Sequence, residues 1–320
     1  MEKPRIRDFI ETTDGLIFSV VSYHHPDGRC LAFLRYYKDA DGERKRGGER
    51  YSKISSTAMS YDFLEKKFTD YVFSYEGSKL QGVPLQKIKN VHRPEERLKK
   101  ICDSPKSSLE KKIKDLAEVF DDIPNNHKGI TGSVLVGLDM PSSDIDFVIY
   151  GISNHERARE VFKNFAGDKI KNLSRKHWQS SYKKRFSGNK TLRFEEYQWH
   201  EKRKWHKGTI DGTIFDILLV RSRSEIGPAP KEYVRKEKVT VDCTVTDATL
   251  AFDSPAVYKV ECKESQVREV LSYTHTYAGQ AFKGEKIEAC GFFEEALDGS
   301  YRVVVGTTRE APGEYIKVKI

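Results

Sequence analysis

The 320-residue chain has a formal charge of +8, with 38% hydrophobic and 32% charged residues. That balance fits a folded, heavily hydrated protein of two or three domains, and the positive charge favours a polyanionic partner. No run approaches the roughly 18 to 20 apolar residues of a membrane span, and Met1-Glu2-Lys3-Pro4-Arg5 lacks the apolar stretch of a secretory signal, so no membrane partner is expected.

Cys30, Cys102, Cys243, Cys262 and Cys290 are odd in number and widely spaced. They form neither a zinc pattern nor a disulfide framework, and a reducing cytoplasm is the expected location.

Residues 16–23 read as a strand, Asp27-Gly28 as a turn and 29–37 as a second strand. This hairpin opens a small α+β accessory domain over 1–100. Residues 39–48 read as an exposed turn, and Arg44, Lys45, Arg46, Arg50 and Lys53 as a solvated loop in preference to a phosphate grip. A helix over 59–68 and a short strand over 71–75 follow, and nothing in the domain offers a catalytic set.

After the break at Asp103-Ser104-Pro105, Leu109, Ile113, Leu116, Ala117 and Phe120 fall at helical spacing. Residues 125–131 are polar where a first strand is expected, and Lys128 reads as a surface lysine. Gly132-Ser133-Val134-Leu135-Val136-Gly137 then leads to Ser142-Ser143-Asp144-Ile145-Asp146-Phe147-Val148-Ile149-Tyr150. A strand there turns Asp144 and Asp146 to one face and Ile145 and Phe147 to the other. Two carboxylates held side by side repel unless a cation neutralises them or one is protonated, and hard oxygen ligands suit Mg2+. A tight Gly-Ser turn into a short helix presents backbone N–H groups to a phosphate. From the residues alone, a plain loop and strand with surface carboxylates is the alternative.

Gly132-Ser133, Gly137 and Ser143-Asp144-Ile145-Asp146, about fifteen residues in all, resemble the signature of the DNA polymerase beta-like nucleotidyltransferase superfamily. That family includes polymerases, CCA-adding enzymes, poly(A) polymerases and small-molecule adenylyltransferases. The resemblance implies a catalytic domain over 106–227, with Gly132, Ser133 and Ser143 at the triphosphate and Asp144 and Asp146 on catalytic metals. It also implies a third carboxylate on a later, adjacent strand, which helps deprotonate the attacking hydroxyl.

Residues 155–166 read as a helix with Ala158, Val161, Phe162 and Phe165 buried, and 208–220 as an apolar strand. Asp216 sits inside that run, where an ionised carboxylate needs a partner or a raised pKa. A metal shared with Asp144 and Asp146 supplies the partner, and the resemblance makes Asp216 the catalytic carboxylate, with Asp211 the runner-up. Mg2+ is the expected ion, Mn2+ being acceptable to the same ligands, and an NTP or dNTP the expected substrate.

The insertion 171–207 carries twelve cations, Lys190 among them, against three anions. Lys183, Lys184, Arg185, Lys202, Arg203, Lys204 and Lys207 are candidate contacts to a polyanion, RNA or single-stranded DNA, while most of the interleaved aromatics read as core. Beyond Pro228 and Pro230, short strands near 239–246, 256–260, 267–273, 286–293, 301–305 and 315–319 predict a β-rich domain over 235–320. Gly284 to Glu294 with Tyr301 to Gly306 loosely resembles an OB-fold barrel, a structural β-domain or dimerisation surface being the alternative; Tyr273, His275 and Tyr277 are candidate binding residues that ordinary barrel packing also explains.

The expected fold is α+β: a polymerase beta-like core between a small α+β domain and a β-barrel-like domain. Nucleotidyl transfer to a hydroxyl on RNA or DNA is the leading function. Transfer to a small molecule or protein, and noncatalytic nucleic-acid binding, are the alternatives.

Overall fold

The computed structural model describes residues 3–75, 78–186, 191–308 and 311–319. The chain is mixed α+β and divides into two compact units, 1–171 with 208–226 and 172–207 with 227–320. This differs from the expected three-part division, because residues of 1–100 share a core with residues 135–138 and the insertion folds with the C-terminal strands.

The first unit opens with β1 (Phe9–Thr12), β2 (Ile17–Val20), β3 (Arg29–Lys38), β4 (Arg44–Arg46) and β5 (Glu49–Lys53). Helix α1 (Thr57–Lys67) follows, started by the Ser56 hydroxyl accepting from the Met59 N–H at 3.2 Å, and then come β6 (Val72–Tyr75), β7 (Ser78–Pro84) and β8 (Ile88–His92). These eight strands form one sheet, with β4-β5-β3-β2-β1-β8 as its main path. Alternation in β3 buries Cys30, Ala32, Leu34 and Tyr36 and leaves the intervening residues half-buried. The expected exposed turn over 39–48 therefore holds a strand, β4, whose arginines are half-buried. Phe9, Ile17, Tyr36 and Tyr51 of this sheet share a buried cluster with Leu135, Val136 and Leu138, which explains why 1–100 does not stand apart.

Next come α2 (Pro94–Asp103), α3 (Ser108–Val119), β9 (Lys128–Ile130), α4 (Gly132–Leu135), β10 (Ile145–Tyr150), α5 (Ile152–Asn164) and β11 (Ile170–Asn172). After α6 (Arg175–Phe186) and α7 (Phe194–Lys204), β12 (Lys207–Ile210) and β13 (Thr213–Val220) complete a five-stranded sheet in the order β11-β12-β13-β10-β9. The residues of β9 are buried despite their polar surroundings. Lys128 is accordingly not a surface lysine: its Nζ donates to the Ala117 and Phe120 carbonyls, each at 3.1 Å, closing the end of α3. Asp211 and Gly212, with φ of 44° and 76°, form the two-residue turn between β12 and β13, so Asp211 is a turn residue and exposed. Helix α5 buries His155, Ala158 and Phe162, the last packing edge-on to Phe215 at 5.3 Å between ring centres. Val161 and Phe165 are only half-buried.

Asp8, just before β1, is 1% exposed; its Oδ2 accepts from the Arg5 N–H at 3.0 Å and from Arg93 Nη1 at 3.4 Å. Burial pushes its carboxyl up to about 7, the Arg5 N–H opposing this, so the folded chain retains a proton that the unfolded chain has released. Stability contributed at this group is therefore lost as pH rises from about 4 to about 7. Asp8→Asn keeps an acceptor for Arg5 and cannot ionise. Its stability relative to the parent is expected to improve by about 2 to 4 kcal/mol across that window in urea titrations; a difference independent of pH would contradict the assignment.

In the second unit α6 and α7 accompany β14 (Tyr233–Asp247), β15 (Ala256–Cys262), β16 (Glu269–Ser272), β17 (Lys286–Ala296), β18 (Tyr301–Val305) and β19 (Tyr315–Val318). β14 pairs with both β15 and β17, so five strands close a ring in the order β14-β15-β16-β18-β17. The β16–β18 pairing is parallel and the others are antiparallel. β19 joins β17 over Ile287–Cys290, and β18 joins it over Phe292–Glu295. Cys243 and Cys262, cross-strand partners on β14 and β15, are joined by a disulfide. This corrects the expectation of unpaired cysteines: strand pairing adjoins residues whose sequence spacing carries no pattern.

The aromatics of α6 and α7 are largely core, as expected. Trp178 and Tyr197 are buried with their rings edge to face, and Tyr182 stacks on Phe186 with centres 4.9 Å apart. Among the described residues no helix is long and apolar enough to cross a membrane.

Candidate catalytic site

Parallel pairing of β10 with β13 sets Asp146 directly opposite Asp216, with Phe147 opposite Ile217 one step further on. Neighbouring strands lie about 4.8 Å apart and paired residues face the same side, so the two carboxylates share one face of the sheet. Both are half-buried, while Asp144, one residue before β10, is exposed. Burial, then the charge of Asp216, pushes the Asp146 carboxyl up to about 6; Asp144 adds to the rise, and Arg7 and Arg35 oppose it. The structure thus sets Asp146 and Asp216 against each other, with Asp144 adding a weaker repelling charge from the loop before β10.

The Gly-Ser turn abuts this set. Gly132 has φ of 71°, and a Cβ added to it would lie 2.1 Å from Asp146 Oδ2. Only glycine meets both demands, the left-handed backbone and the close approach of the carboxylate. Thr131 precedes α4 without capping it by its side chain; its N–H donates to the Asp146 carbonyl at 3.0 Å. Its hydroxyl donates instead to the Arg7 carbonyl at 2.7 Å. Ser133 Oγ donates to Ser143 Oγ at 3.3 Å, and Ser143 Oγ also accepts from the Met140 N–H at 2.9 Å. Ser143 therefore braces the loop leading to Asp144 and positions Ser133 at the turn.

Three arginines hold the same loop by its carbonyls. Arg97 Nε donates to Val134 at 3.0 Å, Arg46 Nη1 to Val136 at 3.2 Å and Arg44 Nη1 to Leu138 at 2.5 Å. Arg46 also pairs with Glu11 at 2.9 Å, and Arg97 with Glu110 at 2.6 Å. Arg44 and Arg46 are therefore neither solvated nor phosphate-gripping; they clamp the site's scaffold. Their spacing of two in a hairpin arm, which turns both to one side, was the available signal.

The basic insertion does not present one surface. Lys183, Lys184 and Lys202 are exposed, but Lys204 is 0% exposed and bonded to Glu201 at 2.5 Å. Lys207 is buried, Arg185 half-buried, and Arg203 binds Glu285 with its guanidinium 4.4 Å from the ring centres of Trp199 and Phe282. Lys204 and Arg203 are tied to Glu201, to Thr276 and to Glu285, which takes them out of any open cationic surface. Lys190 lies outside the described residues. In the β-rich unit Tyr277 is buried, donating to the Glu314 carbonyl at 3.0 Å, His275 is half-buried and Tyr273 is 55% exposed.

Asp146 and Asp216, hard oxygen ligands opposed on one face of the sheet with Asp144 adding its charge, are donors that a divalent cation such as Mg2+ or Mn2+ would stabilise. No family model matches the chain, and no solved structure matches it. The chain is 43% identical over 339 aligned positions, covering 99% of each sequence, to the "Uncharacterized protein MJ1086" of Methanocaldococcus jannaschii.

Proposed function

Since the chain belongs to the same family as MJ1086, itself uncharacterized, we propose from its own site that it is a metal-dependent nucleotidyltransferase acting on a nucleic-acid hydroxyl. The observation that carries this reading is Asp146 facing Asp216 across paired parallel strands, with the Asp146 carboxylate against the Gly132 backbone. Together with the resemblance of 132–146, this arrangement supports a polymerase beta-like core.

Asp144, Asp146 and Asp216 would hold Mg2+, which when bound lowers the pKa of the attacking hydroxyl and neutralises the departing pyrophosphate. The Gly132-Ser133 turn receives the triphosphate, and the Ser133 hydroxyl, now resting on Ser143, turns to it as a donor. Asp216 accepts the proton of the attacking hydroxyl. The arginine clamp keeps the turn in register with the carboxylates, so the chain contributes position and electrostatics.

The strand order of the C-terminal ring, with its parallel β16–β18 pair, supports an OB-type barrel, and this favours a single-stranded RNA or DNA acceptor. Leu297, 93% exposed, opens the connection from β17 to β18, one of the loops with which such barrels take a strand. We place the activity in the cytoplasm, where nucleoside triphosphates are held. The test is incubation with α-phosphate-labelled NTPs and dNTPs, Mg2+ and a panel of RNA, DNA, protein and small hydroxyl compounds. Label on an oligonucleotide end is expected. Label only on a protein or small molecule would move the acceptor, and no transfer to any of them would overturn the reading.

A further inference from the structure

Arg7 is the third residue of a turn closed by the Asp8 N–H on the Arg5 carbonyl at 3.0 Å, and its φ is 74°. Glycine is the residue usually found with that backbone, since a Cβ crowds the neighbouring peptide. Here the conformation is fixed by its surroundings. The Arg7 N–H donates to the Val20 carbonyl at 3.2 Å, and the Arg7 carbonyl accepts from Thr131 Oγ1 at 2.7 Å. Thr131 immediately precedes Gly132 and reaches the Asp146 carbonyl through its own N–H. Thr131, by its hydroxyl and its backbone N–H, thus ties the strained residue to the Gly-Ser turn and to the strand of the central carboxylate.

The Arg7 guanidinium acts on Asp146 as an opposing charge. Its Nε is buried and finds no hydrogen-bond partner among the described residues. A buried charged donor without an acceptor is unfavourable and persists where an acceptor arrives with a ligand. Divalent cations set against three carboxylates and a triphosphate still leave such a site short of positive charge, and a guanidinium answers this with a planar fork matched to phosphate oxygens. Strained backbone, a tether to the phosphate turn and an unsatisfied cationic donor coincide at one residue that breaks the local turn preference.

We propose that Arg7 is a ligand of the triphosphate received at the Gly132-Ser133 turn, making the N-terminal segment part of the site; this rests on the nucleotidyl-transfer reading. A competing role, counter-ion to the carboxylates alone, differs in one readout: loss of Arg7 would leave tripolyphosphate binding untouched.

The test is calorimetric titration of the full chain with inorganic tripolyphosphate in the presence of Mg2+, and with Mg2+ alone, for the parent, Arg7→Gly and Arg7→Lys. Arg7→Gly suits the left-handed backbone, so its thermal midpoint should equal or exceed the parent's. The expected result is tripolyphosphate binding weakened about 10-fold or more, Mg2+ binding alone unchanged or tighter, and partial recovery in Arg7→Lys. Tripolyphosphate binding within about twofold of the parent would overturn the inference and leave the transfer reading standing. So would a loss that merely follows a lowered midpoint. A parent that binds no tripolyphosphate with Mg2+ would overturn both.

Discussion

Asp146→Asn is expected to lower nucleotidyl transfer by about 10^3-fold or more while raising the thermal stability of the metal-free chain. The two effects have one cause. Burial and Asp216 push the Asp146 carboxyl up to about 6, so at neutral pH the folded chain holds an ionised group against both desolvation and repulsion. Removing the charge releases that energy. With the group half-buried, the gain is about 1 to 2 kcal/mol after allowance for solvent screening. Asp216→Asn relieves the same repulsion from the other strand, so the two gains should fall short of additive in the double variant. Mg2+ should raise the melting midpoint of the parent and not that of Asp146→Asn, since a cation stabilises only the chain that binds it. Retained transfer in the variant, or an equal Mg2+ effect in both, would reject the metal-site assignment.

The parts of this site legible in the sequence were those whose signal is local. Alternation around Asp144 and Asp146 marked β10, the apolar run around Asp216 marked β13, and Gly132-Ser133 marked the turn between β9 and β10. The C-terminal strands announced themselves in the same way, each expected segment containing one. β14 alone extends well beyond its expected span, because its charged first half, mostly exposed, shows no apolar alternation. Register was not legible: that Asp146 faces Asp216, or that Cys243 faces Cys262, depends on pairings between strands far apart in sequence.

Long cationic side chains were the main source of error. Lys128, Arg44, Arg46 and Lys204 carry aliphatic stems that pack in the interior while the charged end finds a carbonyl or carboxylate elsewhere. Nothing in a local window separates such a residue from a solvated one. Arg7 gave no signal for a different reason: its turn conformation runs against residue preference. The same physics merged the expected domains: apolar residues of β1, β2, β3 and β5 alternate as in any half-buried sheet, and only the folded chain shows Leu135, Val136 and Leu138 lying against them.

Glu201→Gln is expected to destabilise the chain by about 3 to 5 kcal/mol, and more than Lys204→Met does. Glu201 is 2% exposed and Lys204 0%, bonded at 2.5 Å within α7, and Lys204 Nζ also donates to the Thr276 carbonyl at 3.1 Å. Burial pushes the Glu201 carboxyl up, but Lys204, then Arg185 and Lys207, outweigh it and hold it at about 2. Removing the carboxylate leaves an ammonium in the interior beside like charges. Removing the ammonium leaves a carboxylate that Arg185 and Lys207 still attract, so the two losses differ. Exchanging both residues for apolar ones of similar volume should recover most of the loss, because the desolvation of each charge disappears with it. The pH dependence has a definite sign: a carboxyl held low contributes stability that is complete above the ordinary value of 4.5 and is lost as pH falls towards 2. Urea titrations of parent and Glu201→Gln should therefore converge over that interval. A gap between them that stays constant down to pH 2 would show that Glu201 acts through packing and not through its charge.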